Sequence, residues 1–385
     1  MVTIPASPDW PEIRDAVERL CRDFPNTYWV ELEAANQYPT AFVERLTESG
    51  YLALLIPEEY GGAGLPISAA AAVLETIHAT GCNAAAAHAQ MYTMGTLLRH
   101  GSEAQKAEYL PKIASGALRL QAFGVTEPNT GSDTTQLKTR AERRGDRYVV
   151  NGQKVWTSRA AQSDLMLLLA RTTPVEEVQK RSHGLSVFLV DMRLKGLRIL
   201  PIDAMINHQS CEVFFDDLEI PADALIGEEG QGFRYIVSSM NAERILIAAE
   251  CLGDAGYFLT QATDYANSRE VFGRPIGTNQ GVQFPLARAH AQTEAARLMV
   301  AKAAALYDAG ETPGAEANMA KLLAADASWA AAEAAMQTFG GFAFARDYGI
   351  ERKWREARLY QTAPISTNMI LAYLAQHVLG LPRSY

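Results

Sequence analysis

The hydrophobic pattern of this 385-residue chain changes twice, and these two changes constrain its fold more than any single motif. Through roughly the first 120 residues, apolar side chains recur at helical spacing, as in Ile13, Val17 and Leu20. Short apolar runs bounded by glycine and proline follow, and after Gly232 a helical pattern returns and continues to the end. The sequence therefore predicts a mainly α-helical chain with a β domain in its middle.

A chain of this length is expected to form two or three domains, because single cores stop growing at about 250–300 residues. We expect an N-terminal helical domain over 1–120, a middle β-barrel-like domain over 121–230 and a C-terminal helical bundle over 231–385. Long helices are predicted in the bundle for Phe284–Ala309 and Ala315–Phe339, with Gly340-Gly341 ending the second, and a last helix for Ser366–Leu379.

Apolar runs in the middle of the chain predict its strands, namely Leu165–Arg171, Leu185–Asp191, Leu197–Ile202 and Cys211–Leu218. Two further runs flank Asn151-Gly152. Asn-Gly is the strongest short-range hairpin signal because both residues tolerate positive φ. We therefore predict a tight turn at this dipeptide.

Composition excludes several classes of function. A net charge of −9 argues against a nucleic-acid surface, and no apolar run is long enough to span a bilayer. The four cysteines are scattered without paired spacing, which fits a reducing compartment, and the seven histidines show no metal-ligand spacing. Residues 1–10 lack a targeting signature, so we expect a cytoplasmic protein without a metal site.

The stretch Gly124–Asp133 is dense in small hydroxyl residues and turn formers. Thr126 and Ser132 offer hydrogen-bond donors with little bulk, and the backbone around Gly131 can approach a ligand closely. Such a loop suits a phosphate group or the polar edge of a ring. On composition alone, a surface turn fits equally well.

Six groups of short motifs occur in order along the chain: Tyr60-Gly-Gly62; Val125-Thr-Glu-Pro128 with Gly131-Ser-Asp133; Asn151-Gly-Gln-Lys154 with Trp156; Glu243-Arg244 ahead of Ala248-Ala249; Arg269-Glu-Val-Phe-Gly273; and Gln337-Thr-Phe-Gly-Gly341. In this order and spacing, the chain resembles the acyl-CoA dehydrogenases over nearly its whole length. The resemblance implies the family fold, which has an N-terminal helical domain, a central β domain and a C-terminal four-helix bundle. It also implies a homotetramer that holds FAD partly across a subunit interface, an acyl-CoA substrate and an electron-transferring flavoprotein as partner.

The resemblance assigns cofactor contacts in the β domain. Thr126 and Ser132 would bond the flavin ring and phosphates, and Trp156 would pack against the isoalloxazine. Ser158 stands where the family commonly has a threonine that bonds the N5 side of the flavin. The alternative for Trp156 is a core aromatic residue on a strand.

Further cofactor contacts are implied near the C-terminus. Arg269, Phe272 and Gln280 match family positions that reach the adenine and pyrophosphate of a neighbouring subunit's FAD, and arginine suits a diphosphate because it can bind two oxygens. Gly340 and Gly341 match a loop that permits close backbone approach. The remaining implied cofactor contacts are Gln337, Ser366 and Asn368. The alternative for Arg269 is a solvated cation at a helix end.

The position of the catalytic base departs from the commonest family pattern. Most members have a glutamate a few residues after a Tyr-Gln pair, whereas this chain has Pro364 after Tyr360-Gln361. No carboxylate side chain lies between Ala357 and Tyr385. Proline also lacks the backbone N–H that polarises the thioester carbonyl in the family, so Ile365 N–H or a shifted loop would have to substitute.

Long-chain and isovaleryl-type members carry their base immediately before a family arginine, and Glu243-Arg244 stands at that place. Glu243 is therefore the predicted base, and Arg244 is an implied substrate contact. The alternative for Glu243 is a solvated glutamate on a helix face. The implied reaction removes the α proton and transfers the β hydride to flavin, giving the 2,3-enoyl-CoA.

Because Pro364 replaces a larger residue, we expect a branched or cyclic acyl group. Two alternatives remain open at this point. The first is a non-standard flavin enzyme of the same fold, such as a reductase, desulfinase or monooxygenase. The second is a flavin-binding subunit without turnover.

Overall fold

The computed structural model describes residues 8–383, and these residues divide into two compact units. The first, called the helical unit, contains Pro66–Ala84 and the described parts of Met1–Ala35 and Asn241–Tyr385. The second, called the sheet unit, contains Asn36–Leu65 and Ala85–Met240. Each unit has its own hydrophobic core.

The sheet unit combines helices with one eight-stranded sheet. Its main helices are α3 (Thr40–Glu48), α5 (Ala85–His100) and α6 (Glu103–Ala114). Its strands are β1 (Leu120–Gly124), β2 (Arg140–Arg144), β3 (Arg147–Ser158), β4 (Leu165–Arg171), β5 (Leu185–Asp191), β6 (Leu197–Pro201), β7 (Ser210–Pro221) and β8 (Leu225–Ile226). The strand order is β6-β7-β3-β2-β4-β5-β8, and β1 adds to β4 in parallel.

Strand β4 is buried on both faces, which explains its unbroken apolar sequence. Leu167 and Leu169 point into one hydrophobic core, whereas Met166 and Leu168 point into another, as the two-residue period of a strand requires. The bounds predicted for β4 and β5 are confirmed, β6 ends one residue earlier than predicted and β7 is longer.

The hairpin predicted at Asn151-Gly152 is wrong, because both residues lie inside the continuous strand β3. Gly152 has φ 149°, and the pairing with β7 shifts register between Val150 and Gly152. The Asn151 side chain accepts a hydrogen bond of 3.0 Å from the Asp217 N–H across this irregularity. The dipeptide therefore forms a β-bulge, and the turn before β3 occupies Gly145-Asp146 instead.

The helical unit is built of long helices. They are α1 (Pro11–Cys21), α2 (Asn26–Ala34), α4 (Ile67–Ala79), α7 (Gly232–Ser268, from Asn241 onward), α8 (Gln280–Asp308), α9 (Gly314–Phe339), α10 (Ile350–Leu359) and α11 (Thr367–Tyr373), with a small hairpin of β9 (Glu270–Val271) and β10 (Arg274–Pro275). Helices α8 and α9 confirm the predicted alanine-rich pair, and alanine lets their axes approach closely. Among residues 8–383, no helix is both long and apolar enough to cross a bilayer.

A buried ionic network lies in the core of the helical unit. The Lys353 ammonium is 2.5 Å from Asp254 Oδ1 and 2.7 Å from Glu356 Oε2. His78 Nδ1 lies 2.8 Å from the same Asp254 oxygen, and Arg352 binds the other oxygen of Glu356 at 3.1 Å. Burial alone would lower the pKa of Lys353, but the two carboxylates raise it overall. A cluster of His78, Asp254 and Glu356 resembles a set of metal ligands, but Lys353 supplies its cation.

The close approach of α7 to α4 leads to a stability prediction. A Cβ added at Gly253 would overlap the Glu75 carbonyl oxygen and come within 2.7 Å of His78 Cβ. We expect Gly253→Ala to lower the free energy of unfolding by about 1–3 kcal/mol because the core cannot accept the extra methyl group. The measurement is thermal or urea unfolding of the full chain.

Gly256→Ala is the matched control on the same helix. No described atom lies within 4 Å of a Cβ added there, so alanine should leave stability unchanged or raise it by up to about 1 kcal/mol. Equal unfolding midpoints for the two variants would contradict the close packing at Gly253.

Candidate functional site

The loop Gly124–Asp133 leaves the end of β1 and contains a short turn closed by backbone hydrogen bonds. The N–H groups of Glu127 and Thr130 each donate to the other's carbonyl, at 3.1 and 3.0 Å. Thr126 accepts a hydrogen bond of 2.9 Å at its carbonyl from Val155 N–H. Within the described chain, the hydroxyls of Thr126 and Ser132 form no hydrogen bond, so both are available to a ligand.

Trp156 stands out of the sheet beside this loop. Its φ is 60°, and the pairing of β3 with β7 shifts register between Lys154 and Thr157, which turns the indole outward. Its exposed fraction of 58% rules out the core-aromatic alternative. Ser158 is half-buried at the end of the same strand, and its hydroxyl has no protein partner among the residues that the structure describes.

These residues fit a flavin. An exposed indole offers a flat apolar surface for an aromatic ring system, and unpaired hydroxyls offer donors to ring oxygens and phosphates. Trp156 also adopts a backbone conformation that side chains disfavour, and such conformations are concentrated at ligand-binding sites. The loop of the sheet unit is therefore a candidate cofactor-binding surface.

Glu243 lies on α7 in the helical unit. Its side chain is nearly removed from solvent, with an exposed fraction of 5%, and its carboxylate forms no hydrogen bond in the described chain. Burial raises the pKa of Glu243 to about 7, whereas the neighbouring Arg244 acts in the opposite direction. The solvated-glutamate alternative is therefore excluded by its burial.

Arg244 is buried beside it, and burial lowers the pKa of its guanidinium. Nη1 donates to Asn241 Oδ1 at 3.0 Å, one helical turn earlier, whereas Nε is buried without a described partner. No role for Asn241 was predicted from the sequence. Its spacing of three residues from Arg244 on a helix was the available signal.

The segment that contains Pro364 is anchored from α9. The Lys321 ammonium is fully buried and donates to the Ile365 carbonyl oxygen at 2.9 Å. In the described structure, the N–H groups of Ile365 and Ser366 donate to no protein acceptor. Sequence reasoning missed Lys321, although a single lysine in an otherwise alanine-rich helix was a visible signal.

The structure brings Arg269 close to the end of α9. Its guanidinium lies 5.8 Å from the centre of the Phe342 ring, which directly follows Gly340 and Gly341. Phe272 is fully exposed at the tip of the β9–β10 hairpin, where it has φ 55°. An added Cβ at either glycine would meet no described atom within 4 Å, so the backbone there is open to a ligand.

The other cofactor contacts predicted from the sequence differ in whether their side chains already form hydrogen bonds within the protein. Gln280, Gln337 and Asn368 are exposed and carry no described side-chain hydrogen bond. Ser366 is the N-cap of α11, and its hydroxyl accepts from Met369 N–H at 3.4 Å. Its hydroxyl hydrogen remains available to a second acceptor.

Comparisons with known proteins match the chain to three family models. They are the acyl-CoA dehydrogenase N-terminal domain over residues 7–117, the middle domain over 122–218 and the C-terminal domain over 230–379. Acyl-CoA dehydrogenase fadE12 of Mycobacterium bovis is 35% identical over 97% of this chain and 96% of its own length. Cyclohex-1-ene-1-carbonyl-CoA dehydrogenase of Syntrophus aciditrophicus is 36% identical over 86% of this chain and 80% of its own.

The fold has close counterparts among solved structures. The glutaryl-coenzyme A dehydrogenase glutaryl-CoA complex superimposes with a TM-score of 0.91 at 31% identity, covering 100% of this chain and 98% of that one. The three-domain architecture expected from the sequence is thereby confirmed. The chain belongs to the acyl-CoA dehydrogenase family and is an FAD-dependent oxidoreductase that acts on CH–CH groups.

Proposed function

We propose that this enzyme dehydrogenates an acyl-CoA to the 2,3-enoyl-CoA with Glu243 as the base. The observation that carries the proposal is the burial of the Glu243 carboxylate without a hydrogen bond, which raises its pKa to about 7. A general base is most effective when its pKa lies near the working pH. Glu243 has such a pKa, and within the described chain no group donates a hydrogen bond to its carboxylate.

Glu243 takes the α proton of the substrate, and the electrons of that C–H bond form the new double bond. Bound FAD would supply the acceptor for the hydride that leaves the β carbon. In our proposal the flavin is held by Thr126, Ser132, Trp156 and Ser158, whose free hydroxyls and exposed indole support this role. Arg244 contacts the substrate, and its buried charge favours the negative charge that develops as the proton leaves.

The thioester carbonyl needs a donor that Pro364 cannot supply. The N–H groups of Ile365 and Ser366 are the candidates, because neither donates to a protein acceptor in the described structure. Lys321 holds the carbonyl oxygen between them at 2.9 Å. Since the C=O and N–H of a trans peptide point in opposite directions, this contact turns Ser366 N–H away from Lys321.

We infer a branched or cyclic acyl group, because proline at position 364 occupies less volume than glutamate. The relative from Syntrophus aciditrophicus acts on a cyclic acyl-CoA, which agrees with this inference. Electrons then pass to an electron-transferring flavoprotein, in fatty acid or amino acid catabolism. We place this reaction in the cytoplasm.

We also propose a homotetramer in which Arg269, Phe272, Gln280, Gln337, Gly340, Gly341, Ser366 and Asn368 contact FAD, several of them on a neighbouring subunit. The complete exposure of Phe272 and the open backbone at Gly340 and Gly341 support this role.

Replacing Glu243 with glutamine tests the base. Glu243→Gln keeps the shape of the side chain and removes its basicity, so anaerobic bleaching of the flavin by a reactive acyl-CoA should slow by a factor of about 10²–10⁴. The measurement is stopped-flow absorbance with a panel of straight, branched and cyclic acyl-CoAs. Unchanged FAD content in the variant is the control, and bleaching at the parental rate would remove Glu243 from the mechanism.

The pKa of Glu243 predicts the pH dependence of turnover. Below its pKa the carboxyl is protonated and cannot accept the α proton, so kcat/KM, which reports ionisation of the free enzyme, should rise with pH through an inflection at about 7. Well below that value, kcat/KM should fall about tenfold per pH unit. A flat kcat/KM profile between pH 5.5 and 8.5 would contradict the assignment.

Substitution of Arg269 tests its proposed contact with FAD. We expect Arg269→Gln to raise the FAD dissociation constant at least about tenfold, because a charged hydrogen bond to phosphate contributes about 1.5–3 kcal/mol. Arg274→Gln on the same hairpin is the control, since Arg274 contacts Asn279 and has no proposed ligand role.

Light scattering tests the proposed homotetramer. It should give a mass near four copies of the 42.0 kDa chain, and a monomeric holoenzyme would refute the assembly.

A further inference from the structure

We propose that the buried ion pair of Lys154 and Glu127 positions Thr126 and Trp156 to receive the flavin. The inference rests on the proposed function only in taking these two residues as cofactor contacts. Lys154 and Glu127 would act through their neighbours and would not touch the flavin themselves. They are therefore positioning residues.

The Glu127 side chain connects the loop to the segment just before β2. Its Oε2 accepts from Lys138 N–H at 2.6 Å, and its Oε1 accepts from Thr139 N–H at 2.9 Å. The same Oε1 lies 2.9 Å from the Lys154 ammonium. One carboxylate thereby joins the loop Gly124–Asp133, the segment before β2 and strand β3.

Lys154 contacts the residues on both sides of Thr126, Val125 through its backbone and Glu127 through its side chain. Its ammonium is fully buried and donates to the Val125 carbonyl oxygen at 3.0 Å as well as to Glu127. The carbonyl of Thr126 itself is held by Val155 N–H at 2.9 Å. Three successive residues of the loop are thus held from β3, while the Thr126 hydroxyl is left without a described partner.

The same lysine marks the point at which Trp156 leaves the sheet. Lys154 pairs with Val213 of β7, and the next regular pair is Thr157 with Cys211. Trp156 lies inside this irregularity at φ 60°, two residues after Lys154. Anchoring Lys154 therefore fixes where the bulge begins and the direction in which the indole projects.

A structural role alone explains this pair poorly. Two buried charges must be desolvated, and well-packed apolar residues of similar volume often give equal or greater stability. Burial lowers the pKa of Lys154 to about 8, and Glu127 opposes that shift. Burying both charges costs desolvation energy, and their hydrogen bonds form only in a narrow range of geometries. Such an ion pair is suited to holding a loop in one conformation.

The test compares Lys154→Met with two control variants in the full-length holoenzyme. Methionine keeps most of the side-chain length and removes both hydrogen bonds of the ammonium. We expect at least about a tenfold increase in the FAD dissociation constant and an altered visible circular dichroism band of the bound flavin. Both signals are read without turnover.

The first control, Val150→Ala, truncates a buried residue of the same strand that belongs to the hydrophobic core and not to the loop. It should lower the unfolding midpoint but leave the FAD dissociation constant within about twofold, because stability loss at a remote site is not transmitted to the loop. The second control, Arg147→Met, removes an exposed ion pair with Glu219 at the other end of β3 and should change neither quantity.

A double-substitution cycle completes the design. If Glu127 and Lys154 act as one unit, Glu127→Gln with Lys154→Met should weaken FAD binding no more than the stronger single change. FAD affinity and flavin dichroism of Lys154→Met that match the parent would overturn the proposal. The same is true if Val150→Ala weakens FAD binding as much as Lys154→Met at equal loss of stability.

The outcome is separable from that of the proposed reaction. FAD affinity is measured without acyl-CoA, so the ion pair can be tested even if no acyl-CoA bleaches the flavin of the parent. Failure of acyl-CoA to reduce the parent enzyme would count against the dehydrogenase reaction alone. Unchanged FAD binding in Lys154→Met would count against the ion pair alone.

Discussion

In the proposed mechanism, the chemistry depends on the burial of the Glu243 carboxylate, which accepts no hydrogen bond from residues 8–383. A carboxylate that leaves water without gaining a donor holds its proton more tightly, and burial raises the pKa of Glu243 to about 7. Arg244 limits that shift, yet its own Nη1 is engaged by Asn241. The carboxylate is therefore basic near neutral pH and still able to ionise. In our proposal, Glu243 takes the role that Pro364, at the family's commoner base position, cannot fill.

Functional and positioning groups differ in how completely they are paired. The proposed ligand contacts Thr126, Trp156 and Glu243 have polar groups or faces left free by the protein. Two lysines, in contrast, are fully buried and donate hydrogen bonds to backbone carbonyls, Lys154 to that of Val125 and Lys321 to that of Ile365. Each lysine thereby anchors a segment that carries proposed ligand contacts. A rigid support for unpaired groups is what preorganised binding requires.

Strands and helices were predicted well where a single physical cause determines their sequence pattern. Strands β4 and β5 read as unbroken apolar runs because both faces are buried, and α8 and α9 are marked by alanine. The Asn151-Gly152 turn was wrong because a bulge depends on the pairing with β7, which lies about 60 residues away. Lys321 was missed because its acceptor, the Ile365 carbonyl oxygen, lies 44 residues away in the sequence. Asn241 was missed because helical spacing from Arg244 does not by itself show that the two side chains are hydrogen-bonded. The domain limits at 120 and 230 stay predictions.

Exchange of the α hydrogens tests the central claim about Glu243 most directly, because it isolates proton removal from hydride transfer. An acyl-CoA analogue with sulfur in place of the β carbon cannot lose a hydride, so any exchange with D2O reports the base alone. Nuclear magnetic resonance should show rapid α exchange with the holoenzyme and a rate about 10²–10⁴-fold lower with Glu243→Gln at equal FAD content. Equal exchange rates for the two proteins would contradict Glu243 as the base.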